Sequence, residues 1–391
     1  MSYIDCCDWE ECTLCGKCLV KCPVMNIKGR EAKAEVERLR SGQEPERVLN
    51  ECTLCMRCNS FCPKGLSPYE LIMQRVSEQR DRKERVPGFV PFFLTGIGQP
   101  TFFQSVYDRM SDYERNVLER WAVPPNSKEL MFVGCSGRMF AGDIENSRVL
   151  RSLPKWGPAE VCCGELHYRS GMWDAYERIA RRCAREMNGL GIDRMVCYCG
   201  SCYNFLENIM PKALGIELDF EVTHIYDWML DRLERGEIEV RKPIDMKLAV
   251  HEACYTTELG PEYYETLRKL YTAAGADLVE LPHNRDEGLC CGAASVAREF
   301  KVRSIFREQG KKYKEFKEAG ARDVAVNCLG CYLTFEPMCR LRGVRMHYMV
   351  EELLRAFGDD IDTPVSSRIP LINRVIARHI PRGYRRIPLN F

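Results

Sequence analysis

The sequence predicts an α+β multidomain chain, with an N-terminal α-helical module followed by two repeated α/β domains of Rossmann-like, parallel-sheet type. Three observations predict it. Two cysteine runs, at 12–23 and 52–63, are set among helix-forming segments. A second cysteine pattern occurs twice between residues 135 and 331, at an offset of 119–129 residues. Across that region short apolar runs alternate with helical patterns, as when helices join parallel strands.

Composition narrows the class. A chain of 391 residues is long enough for two or three domains at about 150 residues each. It is 45% hydrophobic and 29% charged, within the globular range. Lys and Arg number 57 against 56 Asp and Glu, a net charge of +1. That balance argues against a nucleic-acid partner. No unbroken apolar run predicts a membrane span, and MSYIDCCDWEECTLC does not read as a signal peptide. A cytoplasmic protein is therefore expected. Its 23 cysteines are then unsuited to a disulfide scaffold, because the cytosol keeps thiols reduced. Metal ligation is the remaining common use.

Residues 1–83 form the expected first domain. CTLCGKCLVKCP places Cys12, Cys15, Cys18 and Cys22 before Pro23, and CTLCMRCNSFCP places Cys52, Cys55, Cys58 and Cys62 before Pro63. This is the C-x2-C-x2-C-x3-C-P spacing of a ferredoxin-like [4Fe–4S] ligand run. Three closely spaced cysteines let one tight loop wrap three corners of a cubane, and the fourth serves the neighbouring cluster. Cys12, Cys15, Cys18 and Cys62 are thus expected on one cubane, and Cys52, Cys55, Cys58 and Cys22 on the other. Zinc also takes four cysteines, but usually from two separated CxxC pairs. Between the runs, REAKAEVERLR predicts a helix with Val36 and Leu39 on its apolar side. After them, Ser67-Pro68-Tyr69-Glu70 predicts a capped helix start leading into Leu71, Ile72 and Val76.

Residues 84–127 read as a linker. Val86 to Tyr107 carries no charge, yet its prolines and glycines would break a lipid-exposed helix. A segment packed between domains is the plainer expectation, and a partner-docking or membrane-surface loop the sharper one. A helix is expected over 108–123, and Pro124-Pro125-Asn126-Ser127 marks the next boundary.

Residues 128–243 and 244–358 are the two repeated domains. Cys135, Cys162-Cys163-Gly164 and Cys199-Gly200-Ser201-Cys202 in the first match Cys254, Cys290-Cys291-Gly292 and Cys328-Leu329-Gly330-Cys331 in the second. Apolar runs at Leu130–Val133, Met195–Val196, Leu248–Val250 and Val324–Val326 end just before cysteines. Ligands of parallel sheets gather outside the carboxyl ends of the strands, so five thiols per half can converge there. Adjacent cysteines do not easily reach two corners of one cubane. A more open cluster, zinc on four of the five thiols, and a disulfide-exchange pair all remain open on chemistry alone.

Two ferredoxin runs followed by two CCG domains resemble the catalytic iron–sulfur subunit of heterodisulfide reductase, and most closely the D subunit, in which C-type and B-type subunits are fused. Eighteen cysteines fall in register across nearly the whole chain. The resemblance implies two cubane clusters and two noncubane [4Fe–4S] clusters. One noncubane cluster would use Cys135, Cys162, Cys163, Cys199 and Cys202. The other would use Cys254, Cys290, Cys291, Cys328 and Cys331, expected as the catalytic set together with His251. It implies anaerobic metabolism and reduction of a disulfide substrate between the two clusters. The 26 residues between Cys135 and Cys162, against 35 between Cys254 and Cys290, depart from the pattern and leave zinc an alternative in the first set. Similar subunits of glycolate oxidase, anaerobic glycerol-3-phosphate dehydrogenase and class II benzoyl-coenzyme A reductases imply the alternative function, a non-catalytic electron relay.

Five cysteines are left over. Cys183 and Cys339 are expected to pack as small apolar groups. Cys197 is read as buried packing rather than a spare ligand, and Cys6-Cys7 as packing near the first cluster or touching a partner. His251, three residues before Cys254, is weighed as a proton or hydrogen-bond donor to sulfur against an ordinary structural histidine. His224 and His347 open equivalent helices and read as caps or core contacts. The tail, 359–391, holds six arginines and no acid from Arg368 onward. With Ile369, Leu371, Ile372, Val375 and Ile376 it reads as a docking element for a partner or an anionic membrane face, or as a solvated tail. No dinucleotide fingerprint is present, so a redox partner is expected: a flavoprotein, or a membrane cytochrome or quinone-linked protein. Peripheral attachment at the inner membrane face through that partner is the alternative location.

Overall fold

The computed structural model describes residues 2–94, 102–298 and 302–388. The N-terminal part is helical, as expected. Helix α1, Gly29–Ser41, buries Ala32, Val36 and Leu39 at helical spacing. Helix α2, Pro68–Lys83, begins after Ser67 with Pro at its first position. Its capping differs from the expectation. Ser67 makes no side-chain cap and instead receives a hydrogen bond from Lys212. Glu70 is turned inward, where the Tyr168 hydroxyl donates to it at 2.8 Å.

The uncharged stretch is folded in rather than exposed. Strand β1, Arg85–Pro87, leads to Phe89 and Phe92, which are buried together with Phe102 and Phe103 of a short helix, Phe102–Tyr107. Residues 95–101 of this stretch lie outside the described residues. Helix α3, Asp112–Trp121, starts on a Ser111–Glu114 capping box.

The two repeats share one topology. In the first, β2 (Glu129–Phe132), β3 (Lys155–Trp156), β4 (Arg194–Cys197) and β5 (Glu221–His224) form a parallel sheet of order β3-β2-β4-β5. In the second, β6 (Lys247–His251), β7 (Asp277–Val279), β8 (Asp323–Val326) and β9 (Arg345–Tyr348) repeat it as β7-β6-β8-β9. Four of these strands, β2, β4, β6 and β8, are the apolar runs that end before cysteines. The chain leaves β2 in one direction and β4 in the other, so their carboxyl ends flank a crevice, as do those of β6 and β8. The shorter first gap has a physical explanation. The second repeat carries a 14-residue helix, Gly260–Ala273, after its first cysteine. The first has only short turns of helix there, Gly134–Gly137 and Ala141–Asn146.

The C-terminal segment corrects the reading of a docking or solvated tail. It forms helix α4, Val365–Ala377, which buries Ile369, Ile372 and Val375 inside the molecule. Strand β10, Arg386–Pro388, then pairs antiparallel with β1. The apolar face read as available for a membrane is covered by the chain's own core. Among the described residues no helix is long and apolar enough to cross a membrane.

Candidate metal centres

The eight cysteines of the two runs separate into two groups. Cys12, Cys15, Cys18 and Cys62 line one cavity, with Gly16, Leu19 and Pro63. Burial, then the neighbouring Cys62, Cys15 and Cys12, pushes the Cys18 thiol up to about 12. Cys52 is likewise pushed up to about 12 by burial and by Cys55 and Cys22. The fourth cysteine of each run therefore stands with the first three of the other. The loops curl through left-handed residues at matching places, Leu14 and Gly16 in one run, Leu54 and Met56 in the other. Such alternation turns backbone N–H groups towards one concave side; the Leu54 N–H lies 3.3 Å from Cys52 Sγ.

Each repeat draws its five thiols together beyond the strand ends. In the second, Cys291 and Cys331 sulfurs are 3.4 Å apart, Cys290 faces Cys254 and Cys291, and Cys328 faces Cys331. In the first, Cys163 faces Cys162 and Cys202, and Cys202 faces Cys199. Cys135 faces Cys162 and Cys199 despite the shorter gap. The glycine of each CCG has a clear task. Gly164 and Gly292 both adopt φ +80°, and their N–H groups donate back to the Cys162 and Cys290 sulfurs, at 3.4 and 3.2 Å. A side chain would be strained there.

The groups meet across module boundaries. Cys290 faces Cys55 of the second run and is the main cause of its pKa falling to about 7. Arg169, which follows the first CCG, donates to Cys254 Sγ and to the Leu54 carbonyl, each at 2.9 Å. Cys254 is lowered to about 6, first by Cys290 and then by Arg169. Arg57, between two cysteines of the second run, donates to the carbonyls of Arg285 at 2.6 Å and Glu252 at 3.0 Å. Between the repeats, the ring of Tyr255 lies directly on Gly200.

His251 ends β6, 1% exposed and edge-on to Phe335. Neither ring nitrogen has a hydrogen-bond partner among the described residues. Burial lowers its pKa to about 3, so it is neutral at neutral pH. His224 caps its helix, accepting from the Tyr226 N–H, whereas His347 pairs with Asp323 at 2.7 Å. Cys183, Cys197 and Cys339 are buried, Cys183 against Met187 sulfur. Cys6 and Cys7 lie 3.7 Å apart, with Cys7 near Ser67 and Lys212. Among the described residues no group of three or more His, Cys, Asp and Glu side chains is arranged to hold a single metal ion.

Sequence reasoning missed Glu165, Arg169 and Arg57. The first two are visible as an i,i+4 acid–base pair, but such pairs most often lie on solvated helix faces. Only the fold shows that this one lies among thiols, with Arg169 buried.

The donor chemistry fits iron–sulfur clusters: clustered thiols from separate loops, with backbone N–H groups turned on their sulfurs. Comparison with known families agrees. Residues 8–66 match the 4Fe-4S dicluster domain, and residues 130–207 and 248–336 each match the cysteine-rich domain called CCG. The D subunit of the dihydromethanophenazine:CoB–CoM heterodisulfide reductase of Methanosarcina acetivorans is 24% identical over 326 residues, 73% of this chain and 78% of that protein. The B subunit of the fumarate reductase (CoM/CoB) of Methanothermobacter marburgensis is 24% identical over 381 residues, 89% of this chain and 72% of that one. The EtfAB:quinone oxidoreductase of Syntrophomonas wolfei is 20% identical over 401 residues, 86% of this chain but 54% of that protein. Fold and site thus define an iron–sulfur electron-transfer protein of the kind found in oxidoreductase complexes. In layout, with a dicluster domain and two CCG domains in one chain, it is similar to the D subunit of heterodisulfide reductase.

Proposed function

We propose that this chain is the heterodisulfide reductase-type component of a redox complex, passing electrons from its N-terminal module to its CCG domains and reducing a disulfide there. The observation that carries it is the contact of Cys55 with Cys290, which joins the second ferredoxin run to the second CCG set without an intervening domain. In this reading residues 1–83 receive electrons, and residues 128–243 and 244–358 each hold one centre. Cys12, Cys15, Cys18 and Cys62 hold one cubane, and Cys22, Cys52, Cys55 and Cys58 the other. Cys135, Cys162, Cys163, Cys199 and Cys202 hold one noncubane cluster, and Cys254, Cys290, Cys291, Cys328 and Cys331 the second. Bound there, the clusters supply one-electron storage at buried sites. The second set would receive the substrate sulfur, with His251, a neutral imidazole, as a hydrogen-bond donor beside Cys291. The reaction consumes two electrons and two protons per disulfide and yields two thiols. A flavoprotein or quinone-linked partner supplies the electrons, and the chain works in the cytoplasm or against the membrane through that partner.

Similarity to the EtfAB:quinone oxidoreductase favours a second reading, a relay with no substrate of its own. Anaerobic purification with iron analysis tests the centres. Four clusters predict about 16 iron per chain, and two cubanes with zinc elsewhere about 8. Candidate disulfides added to the oxidised protein are expected to produce a new paramagnetic signal. Silence across a broad panel, with iron complete, would leave the relay.

A further inference from the structure

We propose that the Glu165–Arg169 ion pair, with Arg169 buried and Glu165 largely covered, polarises the space between the two CCG sets, so that the centre held by the second set accepts electrons before the centre held by the first. This rests on the reading that each set holds an iron–sulfur centre.

Both residues lie on the short helix Glu165–Arg169, immediately after Cys162-Cys163-Gly164. Arg169 is 7% exposed. Its Nη1 lies 3.0 Å from Glu165 Oε1, and its Nη2 2.9 Å from Cys254 Sγ. The positive end of the pair is thus pinned on a sulfur of the second set. The negative end faces the first: Glu165 is among the charges acting on Cys135, and Cys199 is among those acting on Glu165. Glu165 also faces Cys254, but there the guanidinium stands at hydrogen-bond distance and dominates. Arg57, 1% exposed, faces Cys55, Cys254 and Cys290 and adds a second buried cation on the same side.

A cation or N–H donor at a ligating sulfur favours the reduced centre, and a nearby carboxylate disfavours it. Burial strengthens both effects, because little water screens them. The duplicated copy carries no charge at the matching positions, and its nearby buried cation, Arg298, donates instead to the Leu49 and Cys52 carbonyls. The positions after Cys291-Gly292 that match Glu165 and Arg169 are Ala293 and Ala297. The two centres therefore sit in unlike fields although their thiol sets are alike. Glu165 and Arg169 are positioning residues here: they act on the centres through the ligating sulfurs.

The test is an EPR-monitored redox titration of the full chain, purified anaerobically with iron complete. Cys202→Ser and Cys331→Ser assign the signals of the first and second sets. Arg169→Gln is expected to move the second-set midpoint to lower potential. Glu165→Gln is expected to move the first-set midpoint to higher potential. Arg169→Lys keeps the charge and is expected to retain most of the parent value. A purely structural role would lower thermal stability while leaving the midpoints in place. Unmoved midpoints in iron-complete variants, or equal shifts in Arg169→Lys and Arg169→Gln, overturn the proposal. If Arg169→Gln does not fold, Glu165→Gln decides alone: no rise at the first set sinks it. Parent protein with about 8 iron per chain would instead refute the centres themselves, and the inference with them.

Discussion

Glu70 is a carboxyl group 2% exposed, receiving hydrogen bonds from the Tyr168 hydroxyl at 2.8 Å and Asn59 at 3.2 Å. Burial, and then Glu258, raises its pKa from 4.5 to about 8, against the opposing pull of Lys212. Between those values the folded chain keeps a proton that the unfolded chain releases. Stability then falls as pH rises across the window, and the full penalty is present above the folded value. The denaturation midpoint of the parent is expected to fall more steeply between about pH 5 and about pH 8 than that of Glu70→Gln. Parallel profiles would refute the assignment. At this scale the cysteines were legible because a cluster dictates their spacing, and spacing is written in the chain. Glu70 was misread because Ser67 and Glu70 have the right separation for a capping box. Lys212, distant in sequence, takes the Ser67 hydroxyl, and no local pattern announces that.

The elements that carry cysteines could be read from their apolar runs: β2, β4, β6 and β8 are short, buried on both faces and stopped by the ligand-bearing turns. The helix expected over 108–123 is found as α3, but the mutual packing of the described residues of 84–127 with 359–388 could not be read, because it joins residues far apart in sequence. Each buries an apolar face against the other: α4 packs on the helix Phe102–Tyr107, His379 stacks on Phe92 with ring centroids 3.6 Å apart, and Arg368 pairs with Glu114. Ile372 is fully buried within this contact. Ile372→Ala removes methylenes from a packed interior and is expected to cost about 2–5 kcal/mol in denaturant unfolding. A loss below about 0.5 kcal/mol would mean that the segment detaches readily, returning it to the status of a solvated tail.

In the whole molecule, three buried guanidinium groups tie the ferredoxin-like part to the repeats. Arg57 reaches from the second run to carbonyls of the second repeat, and Arg169 from the first repeat to Leu54. Arg298 reaches from the second repeat to the carbonyls of Leu49 and Cys52, at 2.6 and 3.1 Å. Arg57→Met strips two hydrogen bonds to a charged donor and is expected to weaken this junction by about 2–4 kcal/mol. Visible cluster absorbance and far-UV ellipticity are expected to be lost at separate urea concentrations in the variant and together in the parent. Coincident loss in the variant would show that the junction does not depend on Arg57. Duplication was legible in the repeated cysteines, but the faces on which the copies meet were not, since those depend on side chains far apart in sequence. One such meeting point governs the rest. A β-carbon at position 200 would stand 2.7 Å from the Tyr255 ring. The copies are thus separated there by a single aromatic thickness, an incompressible spacer. The two halves approach there with no room for a side chain, and a bulkier residue at 200 would act as a wedge driven between them.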